Sequence, residues 1–141
     1  MDFGTSLKTV YSKYFDFTGR ACRSEFWWFM LYSTGVSIVL DLLFGEIAGD
    51  LWSLAHLFPT LAVTCRRLHD TDRSGWWQVL PLIALPFVFL ESSAVVMLWI
   101  AGGILVLTLV LLIVWYATRG TTGENRFGPD PFGYVDAEIF D

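Results

Sequence analysis

Apolar residues fall into four runs separated by short polar stretches. The first, Phe26 to Phe44, carries polar side chains only at Ser33, Thr34, Ser37 and Asp41. The second, 47–65, contains Asp50, His56 and Pro59; the third, 76–90, contains Pro81 and Pro86; the fourth, 94–116, is uncharged. A helix rises about 1.5 Å per residue and the hydrocarbon core is about 30 Å thick. Runs one and four therefore span a bilayer directly. Run three reaches only about 22 Å and needs thinning or cover by its neighbours, which must also satisfy the carbonyls that its prolines leave free. The pattern predicts an all-α membrane protein with four transmembrane helices arranged as two hairpins.

Two further segments differ in kind. Phe3, Leu7, Val10, Tyr11 and Tyr14 recur at steps of three or four, the spacing of one apolar helical face. Residues 3–15 thus read as a short helix lying on the inner leaflet, or alternatively packed under the bundle. After Tyr116 the chain turns polar, and Gly120, Gly123, Gly128, Pro129, Pro131 and Gly133 exclude a long helix, so 117–141 reads as an irregular tail with an acidic end at Asp136, Glu138 and Asp141. The whole chain is expected to form one membrane domain.

Composition agrees with that reading. Hydrophobic residues make up 55% of the chain and charged ones 16%, against about 25% charged in soluble domains. A water-soluble core of this size could not hide so much apolar surface. The formal net charge of −5 argues against a nucleic-acid partner. The first apolar run lacks a small-residue cleavage site and is expected to remain in the mature protein.

Charge is more informative by position than in sum. Lys8, Lys13, Arg20, Arg23, Arg66, Arg67, Arg73, Arg119 and Arg126 all lie before run one, between runs two and three, or after run four. The other two loops carry acidic groups, chiefly Glu46, Asp50 and Glu91. The positive-inside rule places the basic segments, and with them both termini, in the cytoplasm. Trp27, Trp28, Trp76, Trp77, Trp115 and Tyr116 stand where runs meet basic flanks, the level that amphipathic rings prefer; Trp52 marks the opposite interface.

Chemistry-bearing residues concentrate on that basic side. Arg23-Ser24-Glu25-Phe26-Trp27-Trp28 and Arg73-Ser74-Gly75-Trp76-Trp77 echo each other, with a serine placed to cap each helix start. A guanidinium beside a helix N-terminus favours a bound anion, because N–H groups and guanidinium donors can hold the same phosphate oxygens. Arg20, Arg23, Arg66, Arg67 and Arg73 are the candidate residues for binding anionic phospholipid headgroups or a partner protein. The plainer alternative is topology signal plus aromatic belt. The loop Arg66-Arg67-Leu68-His69-Asp70-Thr71-Asp72-Arg73 reads mainly as an ion-pair network stapling loops together, with Asp70 paired to Arg20, Arg23 or an arginine of its own loop. Within the span regions, Asp41 and His56 could face each other from antiparallel runs. Cys22 and Cys65 match no metal spacing and are expected as free thiols. No metal, cofactor or catalytic residue is assigned.

The stretches Phe17-Thr18-Gly19-Arg20 with Arg23-Ser24-Glu25-Phe26-Trp27, Arg66-Arg67-Leu68-His69-Asp70 with Arg73-Ser74-Gly75-Trp76-Trp77, and Asn125-Arg126-Phe127-Gly128-Pro129-Asp130-Pro131 resemble, in order, the three signatures of the bacterial inner-membrane domain-of-unknown-function family 805. Cys22 and Asp72 depart from that pattern, which commonly has a basic residue and Gly there. The resemblance implies a protein of the bacterial inner membrane and supplies no catalytic residues. All three signatures fall on one side of the membrane in the topology above. The tail is therefore expected to fold back on the arginine loops, with Asp130 or Asn125 meeting an arginine and Glu25, His69 and Arg126 completing a polar network.

Three functions compete: a non-enzymatic membrane module, a transporter or channel component acting as an oligomer, and a membrane enzyme using His69 and Asp70. The last is weakest, because no nucleophile elbow, zinc motif or phosphate-cradling loop is present.

Overall fold

In a computed structural model, residues 1–83 and 95–133 are described. The second half of run three with Pro86, the loop at Glu91, the first residue of run four and the acidic end from 134 onward lie outside them. The described residues form helices α1 (Phe3–Ser12), α2 (Arg23–Phe44), α3 (Glu46–Ala55), α4 (Leu57–Asp70) and α5 (Val95–Ala117), with a 3₁₀ turn at Gly75–Val79, and no strand.

Helix α2 has 22 residues, about 33 Å of rise. It and the Trp99–Ala117 part of α5 are long and apolar enough to cross a membrane. Their apolar side chains mostly face outward: Leu42 is 80% exposed and Leu107 69%. Soluble monomers rarely show apolar faces of this extent, whereas lipid covers them at no cost.

Run two is not one helix. It divides at His56, whose φ of −92° and ψ of 3° end α3 and begin α4. Pro59 lies in the first turn of α4 and cannot donate back to the carbonyl of Ala55. The hydroxyl of Tyr14 donates to that carbonyl instead. The sequence reading of a continuous span missed this break, because a proline early in a helix is compatible with either outcome.

Helix α3 runs antiparallel to the C-terminal half of α2. Ser37 reaches Ser53 at 3.3 Å, and the Trp52 indole donates to the Ser33 carbonyl at 3.1 Å. Trp52 thus ties α3 to α2. Helix α1 packs on α2, burying Ser6 and Val10. The buried apolar cluster joins Val10, Ala21, Phe26, Phe29, Val63, Leu68, Leu112 and Tyr116, so four helices meet at the arginine-rich end of the molecule.

Candidate functional site

The arginine-rich end is organised around one carboxylate. Asp70, 3% exposed, closes α4. Its Oδ1 accepts from Arg20 Nε at 3.0 Å, and its Oδ2 accepts from Arg67 Nη1. Its backbone carbonyl accepts from the Thr121 N–H at 2.8 Å. Gly120 lies so close that a Cβ there would overlap the carboxylate.

The two arginines then reach beyond Asp70. Arg67, wholly buried, donates to the carbonyls of Tyr116 and Thr118 where α5 ends. Those carbonyls have no helical partner and carry the negative end of the helix dipole, so a guanidinium is favoured there. Arg20 donates to the carbonyls of Thr121, Gly123 and Gly128 in the tail. One acid and two bases thereby join the segment before α2, the end of α4, the end of α5 and the tail.

Arg66 is also wholly buried and pairs with Glu25 at 2.7 Å. Its Nε and Nη2 have no hydrogen-bond partner among the described residues. Arg73 donates to the Thr71 carbonyl at 3.0 Å and sits 4.7 Å from the centre of the Trp115 ring. Arg23 is exposed, and among the described residues it has no carboxylate partner. With Arg119, Gly120, Thr121, Thr122 and Asp130 it lines a cleft of about 380 Å³.

Neither of the two tail side chains expected against an arginine makes that contact. Asn125 Nδ2 donates to the His69 carbonyl and to Thr121 Oγ1, both at 2.9 Å. Asp130 accepts from the N–H groups of Gly123 and Phe132, and these bonds hold its carboxyl below the usual carboxylate range. The arginine binds tail carbonyls because a loop rich in Gly and Pro offers unpaired backbone acceptors. Arg126 pairs with Asp72 at 3.1 Å on the surface. The φ of 56° at Asp72 is left-handed, which accounts physically for glycine suiting that position.

His69 and Asp70 are neighbours in sequence and serve different partners. The His69 ring lies parallel to Phe127 at 3.9 Å, its Nδ1 is 3.1 Å from the Gly19 carbonyl, and its Nε2 faces Cys65 Sγ at 3.5 Å. Burial depresses its pKa and keeps it neutral. The Cys65 contact was not singled out from sequence, although Cys65 and His69 stand four apart on one helix face.

Asp41 and His56 are not brought together. His56 bonds Tyr11 Oη at 2.6 Å and stacks on Trp52, while Asp41 lies against Gly49. Ser24 does not cap α2, which begins one residue earlier, at Arg23; its hydroxyl sits 3.2 Å from Cys22 Sγ. Ser74 accepts from the Trp76 N–H at 3.4 Å and does cap its turn. Among the described residues no cluster of three metal-ligating side chains occurs.

Comparison with known proteins places this architecture. Inner membrane protein YhaH of Escherichia coli (strain K12) is 39% identical over 132 residues, covering 86% of this chain and 92% of that protein. Inner membrane protein YhaI of the same strain is 37% identical over 129 residues, covering 87% and 92%. Uncharacterized protein YiiR is 36% identical over 132 residues, covering 86% and 90%. No solved structure gives a significant match. Residues 14–129, which contain the first two signature stretches, the third as far as Pro129, and the whole Asp70 network, match the family described as "Protein of unknown function (DUF805)", and the chain belongs to that family.

Proposed function

We propose that this chain is a four-span protein of the bacterial inner membrane with both termini in the cytoplasm, and that its folded cap is a non-enzymatic docking surface for anionic phospholipid headgroups. The carrying observation is the division of labour among the arginines. Arg20, Arg66 and Arg67 are turned inward and hold the cap together. Arg23 and Arg119 instead line the 380 Å³ cleft where the first and last long apolar helices meet the cap, beside Asp70 and Asp130, whose carboxylates are already taken up by Arg20 and Arg67 and by the Gly123 and Phe132 N–H groups. The first turn of α2 has no side-chain cap, so its N–H groups add to the attraction for a phosphate. Headgroup binding therefore belongs to Arg23 and Arg119, and the inward arginines act by shaping the cleft. The test is native mass spectrometry of protein released from nanodiscs of mixed lipid. Anionic lipid should be retained over neutral lipid, and the pair Arg23→Gln with Arg119→Gln should abolish the preference. Equal retention of both lipids by the parent protein would defeat the reading.

A transport role has one observation in its favour. A cavity of about 320 Å³ between α2 and the α3–α4 break is lined by Ser33, Thr34, Ser37, Ser53, His56 and Thr60. Hydroxyls gathered beside apolar spans suit a polar solute passing through an oligomer. Solute flux in proteoliposomes that is lost on His56→Ala would favour this reading over the first.

A further inference from the structure

A second cavity on the cap has a different character from the arginine cleft. It measures about 540 Å³, and Phe17, Cys65, His69, Ser74, Trp76 and Phe127 are among its lining residues. We propose that Cys65 and His69 form a thiol–imidazole pair in this second cavity, and that Cys65 is a site of covalent acylation by an acyl thioester.

The geometry carries the chemistry. The Gly19 carbonyl accepts from His69 Nδ1 at 3.1 Å, which leaves the Nε2 lone pair facing Cys65 Sγ at 3.5 Å, with the Phe17 carbonyl as the thiol's other acceptor at 3.6 Å. The Phe127 ring, parallel at 3.9 Å, fixes the plane of the imidazole. A nucleophile, a base within reach of it and a third group orienting the base constitute the arrangement that activates a thiol. Gly75 packs directly on Sγ, and a Cβ there would occupy the sulfur's place. The aromatic lining suits an aliphatic chain, and Trp76, 80% exposed, stands at the mouth beside the apolar surface of the helices. Among the described residues, the Cys22 thiol has the Ser24 hydroxyl as hydrogen-bond partner, at 3.2 Å, and no imidazole bonded to it.

The step balances without any oxidant or reductant. The Cys65 proton passes to His69 Nε2 as Sγ bonds to the thioester carbonyl carbon. The bond from that carbon to the departing sulfur then breaks, and the departing thiolate takes the proton from Nε2.

The experiment uses the full chain in nanodiscs, with decanoyl-coenzyme A as acyl donor and intact mass as readout. The Cys22→Ser protein should gain on Cys65 an acyl group that neutral hydroxylamine removes, and the Cys65→Ser protein, which keeps Cys22, should gain none. His69→Gly should slow the reaction about a hundredfold, the scale of a general base, and added imidazole should restore it, which a purely structural role would not allow. Gly75→Ala, which leaves His69 untouched, should block the thiol. Acylation of Cys22 as fast as Cys65, a parental rate in Gly75→Ala, or His69→Gly reacting at the parental rate would each overturn the assignment.

Discussion

At the scale of single residues, Asp70 holds two buried guanidiniums, and the arithmetic of burial decides what its loss does. A buried ion pair adds little net stability over an apolar replacement, yet removing one partner strands a charge, at a cost of about 3–5 kcal/mol. Asp70→Ala strands both Arg20 and Arg67. It should therefore unfold the cap well below the parental denaturation midpoint, as followed by tryptophan fluorescence in detergent. The exposed Arg126–Asp72 pair, 61% and 47% exposed, should contribute at most about 1 kcal/mol. His69 supplies a pH dependence. Its folded pKa lies below the ordinary 6.5 because burial disfavours the imidazolium. The folded state therefore binds fewer protons than the unfolded one, so this contribution is present above about pH 6.5 and is lost as pH falls from there through the folded value. The melting temperature should drop between pH 7.5 and 5.0 more in the parent than in His69→Gln. Asp130, with an ordinary value of 3.8 lowered further, titrates in a separate, more acidic window.

Among the elements, the α3–α4 break shows how a local defect is repaired by a distant residue. Pro59 leaves the Ala55 carbonyl without its helical donor, and Tyr14, 41 positions earlier in sequence, supplies one. Tyr14→Phe removes only that hydroxyl and should cost about 1 kcal/mol, the net worth of such a bond, measurable as a shift in the midpoint of thermal unfolding. The tail is held by side chains that donate to backbone carbonyls. Its carbonyls at Thr121, Gly123 and Gly128 are bound by Arg20, and Asn125 ties it to the end of α4. The element boundaries were well marked in sequence where the period was long, as in α2 and α5. They were poorly marked at His56, because neither a histidine nor a proline after it dictates a break.

For the molecule as a whole, the placement of charge is what the proposed orientation rests on. All nine basic residues lie in the three segments between or beyond the apolar runs that the topology assigns to one side. Moving even one such segment across the bilayer would place several cations on the side the positive-inside rule disfavours. Cysteines introduced at positions 69 and 126, in a Cys22→Ser and Cys65→Ser background, should resist a membrane-impermeant maleimide in intact cells and react after the inner membrane is opened. Labelling from the periplasmic side before opening would reverse the map and remove the proposed headgroup site with it. The family match over residues 14–129 takes in the whole Asp70 network, so the orientation test bears on the cap as one unit.

What could be read from the chain alone were quantities that add up along it: hydrophobic run length, helical period, segregation of charge, and the family signatures. These depend on near neighbours in sequence and on the bilayer, so no partner need be known. The identity of contacts between runs could not be read in this way. Arg20, Arg23, Arg66 and Arg67 carry the same guanidinium, and only packing decides which is buried against Asp70 or Glu25 and which is left facing a cleft. The same holds for Cys65 and His69, whose pairing depends on the Gly19 carbonyl and the Phe127 ring, 50 positions before and 58 after the histidine in sequence. Burial and orientation are set by groups distant along the chain, and three-dimensional folding alone brings them within hydrogen-bonding range.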